Sequence, residues 1–220
     1  MKKIFSCASA FIIAAAFLFL FTFSIPPVSI ARAADSSAAM EAYRAVLKNE
    51  MEFYSVEHKK NFRLHEFDCG EGEPIKAERF AVVDMDGDGI PEVVLDFGMI
   101  WVGVEVLHYD DGKVYGFTRP YMAALAKDGT YNGNASFAPY NVQYYKPTSV
   151  KKDSYKEESL AHIEHKAESG DIEIISYRIG SSKVTEEEFN AFVDKINEHI
   201  QGNEAVWFDF TDADIESAFK

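Results

Sequence analysis

Four acidic residues crowd one short stretch of the chain, and their type and spacing suit the binding of a metal ion. Asp84, Asp86 and Asp88 alternate with other residues, and Glu92 follows four positions later. Without an ion these carboxylates repel one another. A hard cation that takes about six to eight oxygen ligands relieves the repulsion, and Ca²⁺ is the usual one. Mg²⁺ fits less well because it requires a stricter octahedron and retains its waters.

Two further residues complete the loop, and the segments on either side of it indicate which secondary structure positions it. Gly89 permits a sharp turn, and Ile90 can offer its backbone carbonyl oxygen. The flanking segments 79–83 and 92–97 are β-branched and apolar, which predicts strands rather than the helices of an EF-hand. Position 12 counted from Asp84 is Leu95, where an EF-hand has a bidentate Glu. The alternative is an Asp/Gly-rich hairpin turn that binds no ion.

The segment from Phe80 to Val94 resembles the calcium-binding β-hairpin loop of FG-GAP/VCBS-type repeats, which occur in integrin α chains and bacterial surface proteins. The resemblance implies a ligand set within the hairpin 79–97: the side chains of Asp84, Asp86, Asp88 and Glu92, and the carbonyl oxygen of Ile90. Glu92 stands where the family usually has Asp. Only one copy is found, so the sequence does not predict the propeller that such repeats build. A single loop between strands favours a structural calcium ion over a sensor.

The overall composition is strongly acidic and excludes several classes of protein. The chain has 220 residues, with 36 Asp and Glu against 22 Lys and Arg, a formal net charge of −14. That charge argues against binding to nucleic acid or to an anionic membrane surface. Two cysteines are too few for a disulfide-stapled miniprotein or a cysteine-rich zinc module.

The N-terminal residues 1–33 have the pattern of a secretory signal peptide. Lys2 and Lys3 precede an apolar run at 11–23, and the small-x-small sequence at 31–33 suits a signal peptidase. We therefore expect a secreted or cell-surface protein with an extracellular partner. The alternative is an uncleaved membrane anchor at 4–23, which is long enough to span a bilayer. Cleavage would remove three basic residues (Lys2, Lys3 and Arg32) and no acid, so the mature net charge is −17.

The rest of the chain, 34–220, predicts one globular α+β domain. A helix is expected at 35–54, and a loop with a short strand near Leu64 follows it. Short strands joined by turns such as Asp111-Gly112 then predict an antiparallel, meander-like sheet. Two helices are expected at the C-terminal end, capped at Thr185 and Thr211. The sheet is thus flanked by N-terminal and C-terminal helices.

The leading interpretation is an exported, non-enzymatic calcium-binding domain, because no catalytic motif stands out. One alternative is a surface module that recognises a glycan or peptide through Trp101 and the Tyr-rich segment 121–145. Another is a hydrolase whose site the sequence does not reveal. His162 and His165 do not favour a zinc site, because they lie in a predicted strand and point to opposite faces.

Overall fold

A computed structural model describes the chain at residues 27–68, 72–133, 141–168 and 171–220; for 27–34, 167–168 and 171 only the backbone is described. The described residues do not include most of the predicted signal peptide 1–33, the alternative anchor 4–23, or Cys69, the cysteine that would remain after cleavage. None of the helices in the described part of the chain has both the length and the apolar character needed to cross a membrane.

The described residues form an α+β fold, as the sequence predicts. The helices are Pro27–Leu47 (α1), Glu186–Gly202 (α2) and Asp212–Ala218 (α3). The first six strands are Phe53–Ser55 (β1), Lys60–Phe62 (β2), Arg79–Val83 (β3), Glu92–Asp96 (β4), Val104–Asp110 (β5) and Lys113–Arg119 (β6). The other strands are Ala124–Leu125 (β7), Tyr131–Asn132 (β8), Gln143–Lys151 (β9), Ser154–Glu168 (β10), Asp171–Ile179 (β11), Ser182–Val184 (β12) and Trp207–Asp209 (β13).

The strands form two sheets rather than the one sheet expected. The first sheet has the order β13-β3-β4-β5-β6-β1-β2, and the second has the order β12-β11-β10-β9-β8-β7. Among the strands that the structure describes, the pairs are antiparallel except β1 with β6, where Tyr54 lies beside Tyr115 in a parallel pair. The connections along the chain are mostly hairpins, so the meander pattern is confirmed within each sheet.

The two sheets pack face to face, and helices cover both outer faces. Val93 and Leu95 of β4 point into a core beneath α1 and α3, whereas Val94 points into a core between the sheets. A third core lies between the second sheet and α2, around Phe189 and Ile196. Strand β4 is therefore buried on both faces, which explains its continuous apolar sequence.

The predicted helix at 35–54 is wrong at both ends. Helix α1 spans Pro27–Leu47, and Phe53 begins strand β1. Asn49 adopts a left-handed conformation (φ 60°) just after the helix, and the amide of Glu50 donates to the carbonyl of Ala45. Asn tolerates this conformation and ends helices in the way that Gly does. The apolar spacing that continues to Phe53 therefore belongs to two different elements.

Candidate metal centre

The acidic loop connects β3 to β4, near the middle of the first sheet. The pair Val83–Glu92 closes the two-stranded ladder below it. Gly87 (φ 75°) and Gly89 (φ 88°) both adopt left-handed conformations, which a side chain would strain. The glycine turn expected at position 89 is thus confirmed.

Each loop aspartate accepts a hydrogen bond from a backbone amide of the loop itself. Asp84 Oδ2 accepts from Gly89 N at 3.0 Å, and Asp86 Oδ1 accepts from Asp88 N at 3.1 Å. Asp88 Oδ1 accepts from Ile90 N at 2.7 Å. These hydrogen bonds fold the loop compactly and bring the three aspartate side chains close together.

The three aspartates come together as a group that can hold a metal ion. One carboxylate oxygen from each of Asp84, Asp86 and Asp88 lies within 4.8 Å of the others. All three residues are half-buried. Burial raises the pKa of Asp88, and the negative charges of Asp86 and Asp84 raise it further. The loop therefore concentrates negative charge that a cation would neutralise.

An unpaired oxygen in this group indicates that the residues suit a cation. Asp84 Oδ1 is buried, yet it accepts no hydrogen bond from the part of the chain that the structure describes. A buried carboxylate oxygen without a partner is costly, and a coordinated cation is one means of satisfying it. Three carboxylates form an all-oxygen donor set, the kind that hard cations prefer.

Glu92, a further predicted ligand, lies under the loop rather than within the group of three aspartates. Its side chain is fully buried, with Oε2 accepting from Met85 N at 2.8 Å. Its Oε1 lies 2.9 Å from Nδ1 of His108, which is also buried. Burial raises the pKa of Glu92 to about 7, although both of these hydrogen bonds act in the opposite direction. Coordination by Glu92 stays a prediction.

Ile90, whose carbonyl oxygen is the fifth predicted ligand, ends the loop just before β4. Its half-buried side chain packs against the core beneath α1. This packing fixes the backbone at the exit of the loop. A role for its carbonyl oxygen stays a prediction.

Sequence reasoning missed two residues that position the loop. One is His108, which lies next to Leu107, the partner of Val93 across β4 and β5. Aligning the predicted hairpins would have placed it beside Glu92. The other is Val150, whose backbone amide donates to Asp86 Oδ2 at 2.7 Å from 64 residues away. No signal in the sequence could have shown that contact.

The aromatic residues of the alternative binding surface separate into two groups. Trp101 is 79% exposed at the tip of a turn, whereas Tyr131 and Tyr144 are buried in the cores on either side of the second sheet. Phe137 and Tyr140 lie outside the described residues. Among the described side chains expected to form that surface, Trp101 is the one that projects clearly into solvent.

Comparisons of this chain with known protein families, with curated proteins and with solved structures gave no match.

Proposed function

We propose that this protein is an exported, acidic calcium-binding domain without enzymatic activity, in which the ion has mainly a structural role. The observation that carries the proposal is the group of Asp84, Asp86 and Asp88, with the unpaired buried oxygen of Asp84. The group lies in a loop whose glycines and internal hydrogen bonds already bring the carboxylates together. Calcium binding would relieve the repulsion among them.

Calcium is the proposed ion because of the ligand type and the nature of the loop. All the proposed ligands are oxygens, and a loop can supply the irregular geometry that Ca²⁺ accepts and Mg²⁺ does not. The resemblance of the loop to FG-GAP/VCBS-type repeats supports the same choice. Extracellular modules bind Ca²⁺ with Kd on the order of 10⁻⁴–10⁻³ M, so external calcium would keep such a site filled.

The position of the loop supports a structural role for the ion. It joins β3 to β4, two inner strands of the first sheet, and β4 is fully buried. Glu92, at the start of β4, also binds the loop backbone through the amide of Met85. Order in the loop is therefore linked to order in the centre of the sheet.

The proposed location is outside the cell or at its surface. The support is the N-terminal pattern of two lysines, an apolar run and the Ala-Arg-Ala sequence at 31–33. If the leader is not cleaved, 4–23 would anchor the same domain to the membrane. The proposed partner is an extracellular or cell-surface molecule, and the net charge of −14 disfavours nucleic acid.

Isothermal titration calorimetry of the full-length chain with CaCl₂ tests the proposal. We expect a binding heat that disappears in Asp88→Asn and persists in Asp194→Asn. The second variant is a matched control, because it makes the same charge change at an exposed position of α2. A wild-type protein that gives no heat with CaCl₂, and no rise in melting temperature, would refute the proposal.

Trp101 gives a specific reason to keep a second candidate function, the recognition of a glycan or peptide. Trp101 is 79% exposed, more than any other large apolar side chain in the described part of the chain, and backbone hydrogen bonds shape its turn. The amides of Val102 and Gly103 both donate to the carbonyl of Met99. Tryptophan fluorescence during titration with cell-wall glycan fragments tests this function, with Trp101→Ala compared against Trp207→Phe. An emission unaffected by every fragment would exclude glycans as the ligand.

A further inference from the structure

Asp86 is the loop residue that also binds the second sheet. Strand β9 pairs on one side with β10, and on the other side it pairs with β8 at Tyr144 and Tyr145. Further along this second side, Asp86 Oδ2 accepts a hydrogen bond from Val150 N at 2.7 Å. Val150 is buried, so its amide would be costly to leave unpaired. The carboxylate of Asp86 thus takes the place of a neighbouring strand.

The loop has a second close contact with the same sheet at Gly129. This residue lies in the turn between β7 and β8 and has a positive φ of 81°. A Cβ atom at this position would lie 2.1 Å from the carbonyl oxygen of Met85, so the two backbones touch. Met85 lies between Asp84 and Asp86. The loop is therefore in contact with the second sheet at both its backbone and a carboxylate.

Tyr155 lies at the same junction between the sheets. It is the cross-strand partner of Val150. Burial and the charge of Glu157 raise the pKa of Tyr155, and the charges of Glu92 and Asp86 add to this rise. Its hydroxyl is buried without a hydrogen-bond partner among the described residues. The space between the loop and the second sheet is therefore poorly solvated. The Asp86 carboxylate depends there on its hydrogen bond with Val150.

We propose that cation binding at the loop controls how firmly the second sheet is held to the first, with Asp86 as the residue that joins the two. This inference rests on the proposed calcium site. In the absence of the ion, repulsion from Asp84 and Asp88 displaces the Asp86 carboxylate from its position beside Val150 and so weakens the hydrogen bond between them. A bound cation removes the repulsion and fixes Asp86 against the β9 edge.

Thermodynamic linkage makes this effect reciprocal. If the cation strengthens the bond between Asp86 and Val150, then an intact bond must strengthen cation binding by the same factor. Displacement of the second sheet, by a partner or by force, would thus weaken cation binding by that factor. Occupancy of the site would then depend on whether the two sheets are in contact. The ion would have this role in addition to stabilising the β3–β4 hairpin.

Amide hydrogen exchange, followed by NMR on the full-length chain with and without CaCl₂, tests the proposal. We expect calcium to slow exchange of the Val150 amide about fivefold or more, the lower end of typical coupling between sites. The amide of Phe53, buried in β1 three strands away from β4 in the first sheet, is the internal reference and should change much less. Equal slowing of both amides would indicate global stabilisation and would overturn the proposal.

Calorimetry on the same samples separates this inference from the function that it rests on. Binding heat without a response at Val150 would overturn the coupling and leave the calcium site standing. The absence of binding heat would overturn both.

Variants separate the two proposed roles of Asp86, which are to accept the hydrogen bond from Val150 and to carry a negative charge at the cation site. Asp86→Asn removes the charge and leaves one carbonyl oxygen, which can serve Val150 while the loop amide of Asp88 loses its acceptor. In this variant Val150 should stay protected without calcium and lose its calcium response. Asp88→Asn should also lose the response, and Asp194→Asn should behave as the wild type. Asp86→Ala removes the acceptor and should leave Val150 fast to exchange in both conditions. If that variant does not fold, as judged by circular dichroism, the two Asn variants decide the outcome.

Discussion

Glu92 Oε1 and His108 Nδ1 lie 2.9 Å apart, and both side chains are buried beneath the acidic loop. The same carboxylate holds the loop amide of Met85 through its other oxygen. Burial raises the pKa of Glu92 to about 7 because an ionised carboxylate is poorly solvated there. Protonation of Glu92 in the interior of the sheet therefore affects the contacts at the base of the candidate metal site.

The stability of the calcium-free protein should depend on the protonation of Glu92. Its pKa is raised on folding, so the stabilisation is complete below about pH 4.5 and is lost as the pH rises toward about 7. Glu92→Gln mimics the protonated form, and its amide can serve both Met85 and His108. Relative to this variant, the wild type should lose up to about 1.4 kcal/mol per pH unit across that window. Urea unfolding of both proteins measures the difference, and parallel pH profiles would contradict the prediction.

Glu105 should destabilise the fold once it ionises. It is fully buried in β5, Thr118 Oγ1 donates to its Oε2 at 2.8 Å, and burial raises its pKa well above the ordinary value. Its Oε1 has no hydrogen-bond partner in the described part of the chain. Because the pKa is raised, stability is lost as the pH increases, and Glu105→Gln should be more stable at pH 8 by about 1–3 kcal/mol.

Unfolding of Glu105→Gln and the wild type in urea at two pH values checks the sign of the difference in their free energies of unfolding. The advantage of Glu105→Gln should shrink as the pH falls, because the raised pKa favours protonation of the wild-type carboxyl in the folded state. Glu158→Gln, at an exposed position of β10, is the control and should show no such change. A Gln variant less stable than the wild type at pH 8 would show that the buried carboxylate is favourable.

Asp88→Asn should have opposite effects with and without calcium. Without the ion, removing one of three crowded charges should leave stability equal or higher, because Asn can still accept from the Ile90 amide. With about 10 mM CaCl₂ and a Kd of about 10⁻⁴ M, the wild type should gain about 2.7 kcal/mol that the variant lacks. Thermal unfolding with EGTA or CaCl₂ measures both effects. A variant that gains as much from calcium as the wild type would remove Asp88 from the ligand set.

The sequence was informative wherever the physical cause is local. The turn Asp111-Gly112 was predicted from its residue types, and both residues have positive φ (48° and 81°), as a type I′ turn requires. The gathering of Asp84, Asp86 and Asp88 depends on spacing within five residues and on the glycines between them. Such features need no knowledge of the rest of the chain.

What the sequence could not show depends on contacts between distant segments. Val93 and Val94 are chemically alike, and the fact that they face different cores follows from where the second sheet lies. The parallel pairing of β1 with β6 and the bond from Val150 to Asp86 join parts of the chain about 60 residues apart. The C-terminal end of α1 was also misplaced, because the spacing of apolar residues continues past Asn49 into a strand.

The capping box of α2 should contribute measurably to stability. Thr185 accepts from the amide of Glu188 at 3.2 Å, and Glu188 Oε2 accepts from the amide of Thr185 at 2.9 Å. Thr185→Ala removes the first of these bonds and should cost about 1 kcal/mol in the free energy of unfolding. Ser181→Ala, in the exposed turn before β12, is the control and should cost much less. Denaturation in urea measures both, and equal losses would mean that the cap is unimportant.

Gly129→Ala should be more destabilising than Gly112→Ala, although the two glycines have the same φ. Both have φ of 81°, so both substitutions incur the strain of a left-handed residue, about 1–2 kcal/mol. Around Gly112 a Cβ atom would meet nothing within 4 Å, whereas at Gly129 it would lie 2.1 Å from the carbonyl oxygen of Met85. The extra cost should therefore be about 1–3 kcal/mol, the usual range for overpacking, and it isolates the contact between the acidic loop and the second sheet. Chemical denaturation of the two variants side by side gives this difference, and equal destabilisation would show that the loop and the β7–β8 turn do not press against each other.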